Sequence, residues 1–109
     1  INILDNELDD LIDKKYWIFS DDIEFCKKEF TSYNFPGKKF LFISEKDYLE
    51  LHIMSLLDHF IIANSSFSWW GSYLSQNKSK KIIAPKQWFV NKQQNDNNQD
   101  IYLENTIVI

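Results

Sequence analysis

From residue 16 onward this sequence alternates short apolar runs with amphipathic stretches, and that alternation limits what the chain can fold into. "YWIFS" (16–20) is apolar and rich in β-formers, while "DDIEFCKKEF" (21–30) spaces Ile23, Cys26 and Phe30 along one helical face. Asn34-Phe35-Pro36-Gly37 is a turn signal, and "KFLFIS" (39–44) follows as a second strand. "EKDYLELHIMSLLDHF" (45–60) sets Leu49, Ile53, Leu56 and Leu57 on one side of a helix. "FIIA" (60–63) is a third strand, "FSWWGSYLSQ" (67–76) a third helix and "KIIAP" (81–85) a fourth strand. Strands separated by helices of this length form right-handed βαβ units around a parallel sheet. Their continuous apolar character is that of strands covered on both faces. The expectation is an α/β fold with at least three of the four strand runs parallel in one sheet.

Two segments stand outside this pattern. Residues 4–14 read as an acidic amphipathic helix with Leu4, Leu8, Leu11 and Ile12 inward, and residues 91–100 as a polar loop. The closing "TIVI" (106–109) can add a strand or pack as a tail. With 109 residues, the chain has room for one domain: a leading helix over 1–15, a core over 16–90, and a loop and tail over 91–109.

The net charge is −4, and the twelve basic residues are all lysine. An acidic chain without arginine lacks the electrostatic footprint of a nucleic-acid binder. It also lacks the side chain best shaped to grip a phosphate through two parallel hydrogen bonds. Cys26 is the single cysteine, so neither an internal disulfide nor a cysteine-based zinc site can form. His52 and His59 read as residues of a packed helix end rather than metal ligands. The apolar runs are too short to span a membrane, and no signal peptide opens the chain. The first residue is not methionine, so the sequence reads as a piece of a longer protein, in the cytoplasm or on the cytoplasmic face of a membrane. Peripheral attachment to that membrane stays open.

In open α/β sheets ligands sit beyond the carboxyl ends of the strands, where helices begin. Three junctions qualify: Ser20-Asp21-Asp22, Ser44-Glu45 and Asn64-Ser65-Ser66. A helix N-terminus presents unpaired N–H groups and a positive dipole end, and serines there add hydroxyl donors without bulk. Serine is equally a common helix cap, so the third junction reads as either a cap or an anion site. Phe67, Trp70 and Leu74 would hold that helix to the sheet, and Gly71 inside it calls for a close approach by a strand or a ligand-bearing loop. Asp21 with Glu24 three residues on has the form of a capping box. The alternative is that a carboxylate there accepts hydrogen bonds from a base or a sugar.

These residues resemble a known family. "IIANSSFSWWGSYL" with "KKIIAPKQWF" is similar to the hallmark of the family 11 glycosyltransferases, the α-1,2-fucosyltransferases. "YWIFSDDIEFCKKEF" and "LHIMSLLDHFII" resemble the family's preceding segments in the same order, so the similarity covers about residues 16–90. The resemblance implies the C-terminal, Rossmann-like half of a GT-B enzyme, a parallel sheet with flanking helices that binds GDP-fucose. It further implies inverting transfer of L-fucose to a glycan with a terminal galactose, with no metal or cofactor. Ser65, Ser66 and Phe67 would then meet the diphosphate through hydroxyls and backbone N–H groups, and Asn64 would belong to the same substrate-binding set. Asp22 would meet the guanine, and Phe42, Ile43 and Ser44 would line the base. One departure is large: the family's His-x-Arg-Arg-x-Asp motif is absent, and it is expected upstream of residue 1 with the acceptor-binding half. Two readings from other classes compete. A carbohydrate-binding module would use Trp69, Trp70 or Trp88 as a sugar platform and ignore GDP. A regulatory nucleotide-binding domain would tolerate any base and transfer nothing.

Overall fold

A computed structural model of the chain describes residues 1, 3, 5, 14–86, 102–104 and 106–109. The leading helix expected over 4–14 falls largely outside the described residues, as do the polar loop over 91–100 and Trp88. The described elements follow the order β1 (Lys15–Phe19), α1 (Ile23–Glu29), β2 (Lys39–Ile43), α2 (Asp47–Ser55), β3 (Phe60–Ile61), α3 (Ser66–Leu74), β4 (Ile82–Ala84) and β5 (Thr106–Val108). This is an α/β chain whose strands pair in parallel, with three helices among the described residues. The chain divides into two compact units at residue 50, inside α2.

The first unit holds β1, α1 and β2. β1 and β2 run parallel in a register that pairs Tyr16 with Phe40, Ile18 with Phe42 and Phe19 with Ile43. Between them Pro36 and Gly37 make a tight turn, closed by the Lys38 N–H on the Phe35 carbonyl at 3.3 Å. Gly37 has φ 78°, a conformation other residues adopt only with strain, and proline before it fits the type II arrangement. The core here is aromatic. Phe40 lies 5.5 Å from Tyr16, 5.4 Å from Phe30 and 5.7 Å from Phe35, centroid to centroid. Such pairs add about 0.5–1.5 kcal/mol each beyond the area they bury. Ile23, Cys26 and Phe30 form the inward face of α1, as their spacing predicts, with Cys26 buried. The other face of the ladder is not covered to the same degree: Trp17 and Leu41, opposite each other in the register, are 39% and 43% exposed. Continuous apolar sequence here thus accompanies an alternating burial pattern.

The second unit is built on β3, β4 and β5, all parallel, with β4 in the middle. Ile82, Ile83 and Ala84 are all fully buried, the strand covered on both faces that the apolar run requires. The closing "TIV" supplies β5, paired Ile82 to Thr106 and Ala84 to Val108. Of the four expected strand runs, two therefore pair in one parallel ladder and two in another, rather than at least three in one sheet. Part of the reason is length. "FIIA" yields only two strand residues, because Ala63 and Asn64 already turn toward α3. The N–H groups of Phe60 and Ile62 are taken by the Lys81 and Ile83 carbonyls, both at 2.9 Å.

Two expected helical faces are corrected. α2 ends at Ser55, so Leu56 and Leu57 leave the helical phase in a tighter turn, and Leu56 is 69% exposed. The buried residue of α2 is Met54. On α3 the inward face is Gly71 and Ser72, not Phe67, Trp70 and Leu74: Trp70 is 50% exposed and Ser72 not at all. Gly71 explains the inversion. A Cβ built there would collide with the Met54 thioether, so α3 lies against a side chain of α2 at a distance only a small residue permits.

Candidate functional site

In the first unit, Asp22, Phe42, Ile43 and Ser44 gather at the carboxyl ends of β1 and β2. Phe19 pairs with Ile43 as the last rung of the ladder, so Ser20 and Ser44 leave it together. The Ser20 hydroxyl accepts the Asp22 N–H at 2.9 Å. Asp22, not Asp21, caps α1: its Oδ1 accepts the Phe25 N–H at 3.1 Å. A one-residue shift moves the cap off the Asp21/Glu24 spacing, and Glu24 instead meets Lys27 at 3.4 Å on the surface. The Asp22 side chain is exposed to solvent. Phe42 and Ile43 are half-buried and Ser44 is exposed. At the following helix start, Glu50 Oε2 accepts the Glu45 N–H at 3.0 Å.

In the second unit, the Asn64-Ser65-Ser66 turn carries the chain from β3 into α3. Ser65 is the N-cap, extended at φ −134° and ψ 132°, and its hydroxyl accepts the Ser68 N–H at 3.3 Å. The Ser68 hydroxyl in turn reaches back to the carbonyls of Ala63 at 3.1 Å and Ser65 at 3.0 Å. The Trp69 N–H goes to the Ser65 carbonyl at 3.0 Å. Among the described residues this leaves the N–H groups of Ser66 and Phe67 without a partner, at the positive end of a nine-residue helix. Ser66 and Asn64 are exposed, and Ser65 and Phe67 half-buried.

The far end of α3 is closed by a residue that the sequence reading missed. Lys80 Nζ donates to the carbonyls of Ser72 at 2.7 Å, Tyr73 at 3.2 Å and Ser75 at 3.2 Å, where the dipole favours a cation. Partial burial lowers its pKa below the usual lysine value. The signal was available in principle, since lysine a few residues past a helix end is a recognised capping pattern. Ser68 was also missed, although Ser65-x-x-Ser68 has the spacing of a reciprocal cap.

The aromatic residues of α3 form their own group. Trp69 and Tyr73 stack 5.3 Å apart at 9°, and Trp70 stands at 89° to Trp69. One face of the Trp69 indole is therefore taken by a tyrosine ring. Of the histidines, His52 is exposed on α2, and His59 Nδ1 accepts the Lys81 N–H at 3.0 Å. Among the described residues no group of three or more His, Cys, Asp or Glu side chains is placed to hold a metal ion. Nor is any described helix long and apolar enough to cross a membrane.

Parallel strands with polar helix starts at their carboxyl ends are the geometry in which open α/β proteins hold their ligands. The chain belongs to glycosyl transferase family 11, whose family model matches residues 1–109. It is similar to an alpha-1,2-colitosyltransferase of Escherichia coli, with 38% identity over 73% of this chain and 28% of that protein. It is also similar to the O-antigen biosynthesis glycosyltransferase WbnK of Escherichia coli, with 35% identity over 66% of this chain and 24% of that protein. The chain thus spans about a quarter of the length of the curated relatives it matches. No solved structure matches it.

Proposed function

We propose that this chain is the donor-binding part of an inverting α-1,2-fucosyltransferase, the C-terminal half of a GT-B enzyme, that holds GDP-fucose for transfer to a terminal galactoside. The observation that carries the reading is the start of α3. In a family of glycosyltransferases, which use activated sugars, a serine-capped helix has two adjacent N–H groups, those of Ser66 and Phe67, with no partner among the described residues and available to an anion. The diphosphate would accept them, with the Ser66 hydroxyl and Asn64 alongside. Asp22 would accept the guanine N1–H and exocyclic amine, and Phe42, Ile43 and Ser44 would line the base.

In the transfer, an acceptor hydroxyl attacks the anomeric carbon of fucose from the face opposite GDP. The carbon–oxygen bond to the β-phosphate breaks, GDP leaves with the bonding pair, and the hydroxyl proton passes to a base. Charge grows on the diphosphate as the bond breaks, so the reaction gains from fixed donors already aimed at it. Two N–H groups and a helix dipole supply part of this. A full cation must come from elsewhere, because no lysine falls between Asn64 and Gly71 and the chain has no arginine. The resemblance assigns that cation to an arginine motif in preceding residues. No metal or cofactor takes part in the proposed reaction, which belongs to the cytoplasm or the cytoplasmic face of a membrane.

The test is an assay of the full-length protein that carries this chain, with GDP-fucose and a panel of terminal galactosides. Fucosylated product with an α-1,2 linkage, identified by NMR, is the expected result. Transfer from activated colitose and not from GDP-fucose would leave a glycosyltransferase but overturn the fucosyl assignment. Binding of galactosides with no response to GDP would favour a carbohydrate-binding module.

A further inference from the structure

We propose that Gly71 is a positioning residue for the donor site, a role that rests on the reading above. Glycine in the middle of a helix costs about 1 kcal/mol relative to alanine. The backbone of α3 gives no reason for that cost, since Gly37 is the glycine with positive φ and Gly71 is not. Space gives the reason. A Cβ at Gly71 would meet Met54 Sδ head-on, and would lie 3.1 Å from Met54 Cβ and 3.2 Å from Met54 Cγ. Both residues are buried. The Met54 thioether fills the place a side chain at 71 would take, so the contact sets how closely α3 lies on α2.

That height is passed on to the N-terminus of the helix. Phe67 and Ser66 lie only four and five residues before Gly71, roughly 6–8 Å along a stiff helix. The ends of α3 are tied down independently. The Ser68 hydroxyl holds the Ala63 carbonyl at 3.1 Å, and the Ser75 hydroxyl holds the Leu57 carbonyl at 2.7 Å. Just beyond, Asn77 Nδ2 donates to the Asp58 carbonyl at 2.9 Å. A helix fixed at both ends cannot absorb a new methyl group by sliding. Either Met54 abandons its rotamer or the helix rocks, and rocking turns the Ser66 and Phe67 N–H groups away from the line on which a diphosphate oxygen must sit. Hydrogen bonds weaken steeply when so misaligned. Gly71 is thus small for the sake of the turn one helical turn and more before it.

The role is tested in the full-length protein by measuring GDP affinity calorimetrically, well below the unfolding temperature. Gly71→Ala should weaken GDP binding by about three- to tenfold and shift the Ser66 and Phe67 amide resonances. Met54→Ala combined with Gly71→Ala should recover most of the affinity, because the truncated partner leaves room for the new methyl. Ile82→Val, which thins the core at β4, should lower stability and keep the affinity, which separates positioning from general destabilisation. Should Gly71→Ala not fold, Met54→Ile presses on the same contact from the other side and should weaken GDP binding in the same way. Parental affinity in Gly71→Ala or Met54→Ile, or a double variant no better than the single one, overturns the role. A parent protein that binds no GDP overturns the donor-site reading and this role with it, and that outcome is visible before any variant is made.

Discussion

Asp22 caps α1 through Oδ1, which accepts the Phe25 N–H at 3.1 Å, and the proposed reading gives its carboxylate a second task toward guanine. Asn caps a helix about as well as Asp, so Asp22→Asn should leave the unfolding midpoint nearly unchanged. The amide would put a donor where guanine also presents donors. GDP affinity should therefore fall by about 1–3 kcal/mol while pyrophosphate affinity stays put. Parallel calorimetric titrations with the two ligands check this, and equal affinities before and after would reduce Asp22 to a cap. At this scale the sequence was legible where chemistry is local. Ser65 and Ser66 sit at a helix start because a serine hydroxyl can accept a first-turn N–H, as Ser65 does from Ser68. The choice between Asp21 and Asp22 was not legible, because either aspartate can cap and the Ser20 hydroxyl decides by holding the Asp22 N–H.

At the scale of the element, α3 is a helix closed at its far end by one ammonium. Lys80→Met would leave the Ser72, Tyr73 and Ser75 carbonyls without their donor. The cost should be about 1–2 kcal/mol in urea unfolding, from lost charge-assisted hydrogen bonds less what water restores. Burial lowers the Lys80 pKa, so the folded chain gives up this proton at a lower pH than the unfolded chain does. Between the two values the unfolded state binds more protons, and this group's contribution to stability therefore rises with pH across that window. An NMR titration of the Lys80 side chain should place its midpoint below the usual lysine value. The faces of α2 and α3 were the least legible part of the fold. Hydrophobic spacing ranks Trp70 and Leu74 above Gly71 and Ser72. Yet helices that approach closely select for small residues at the contact, and the partner that sets the distance, Met54, lies in another element.

For the whole molecule, the alternation of runs foretold parallel strands, because helical crossovers between strands permit little else. It did not foretell their grouping into two ladders, which depends on how many residues each run can spare for pairing. A chain of 109 residues without arginine should transfer no fucose by itself, and it should bind GDP weakly at best. Turnover of GDP-fucose onto any galactoside by the isolated chain would overturn that expectation. The order of the second ladder carries a further consequence, for how the chain is made. β4 is the central strand, yet one of its two neighbours is the last strand of the sequence, reached only after the long connection from Ala84 to Thr106. During synthesis β4 therefore emerges with one edge of its main chain open, and bringing β5 onto that edge carries the entropic cost of closing a connection of that length. Until Thr106–Val108 arrive, Ile82 and Ile83 belong to an unsealed apolar edge that can pair with any other extended chain. A chain stopped before residue 102 also loses the Tyr102 hydroxyl that donates to the Pro85 carbonyl at 2.7 Å. Such a chain should collect in the pellet on sedimentation, where the 109-residue chain stays in the supernatant, and its loss would be a failure of solubility rather than of chemistry.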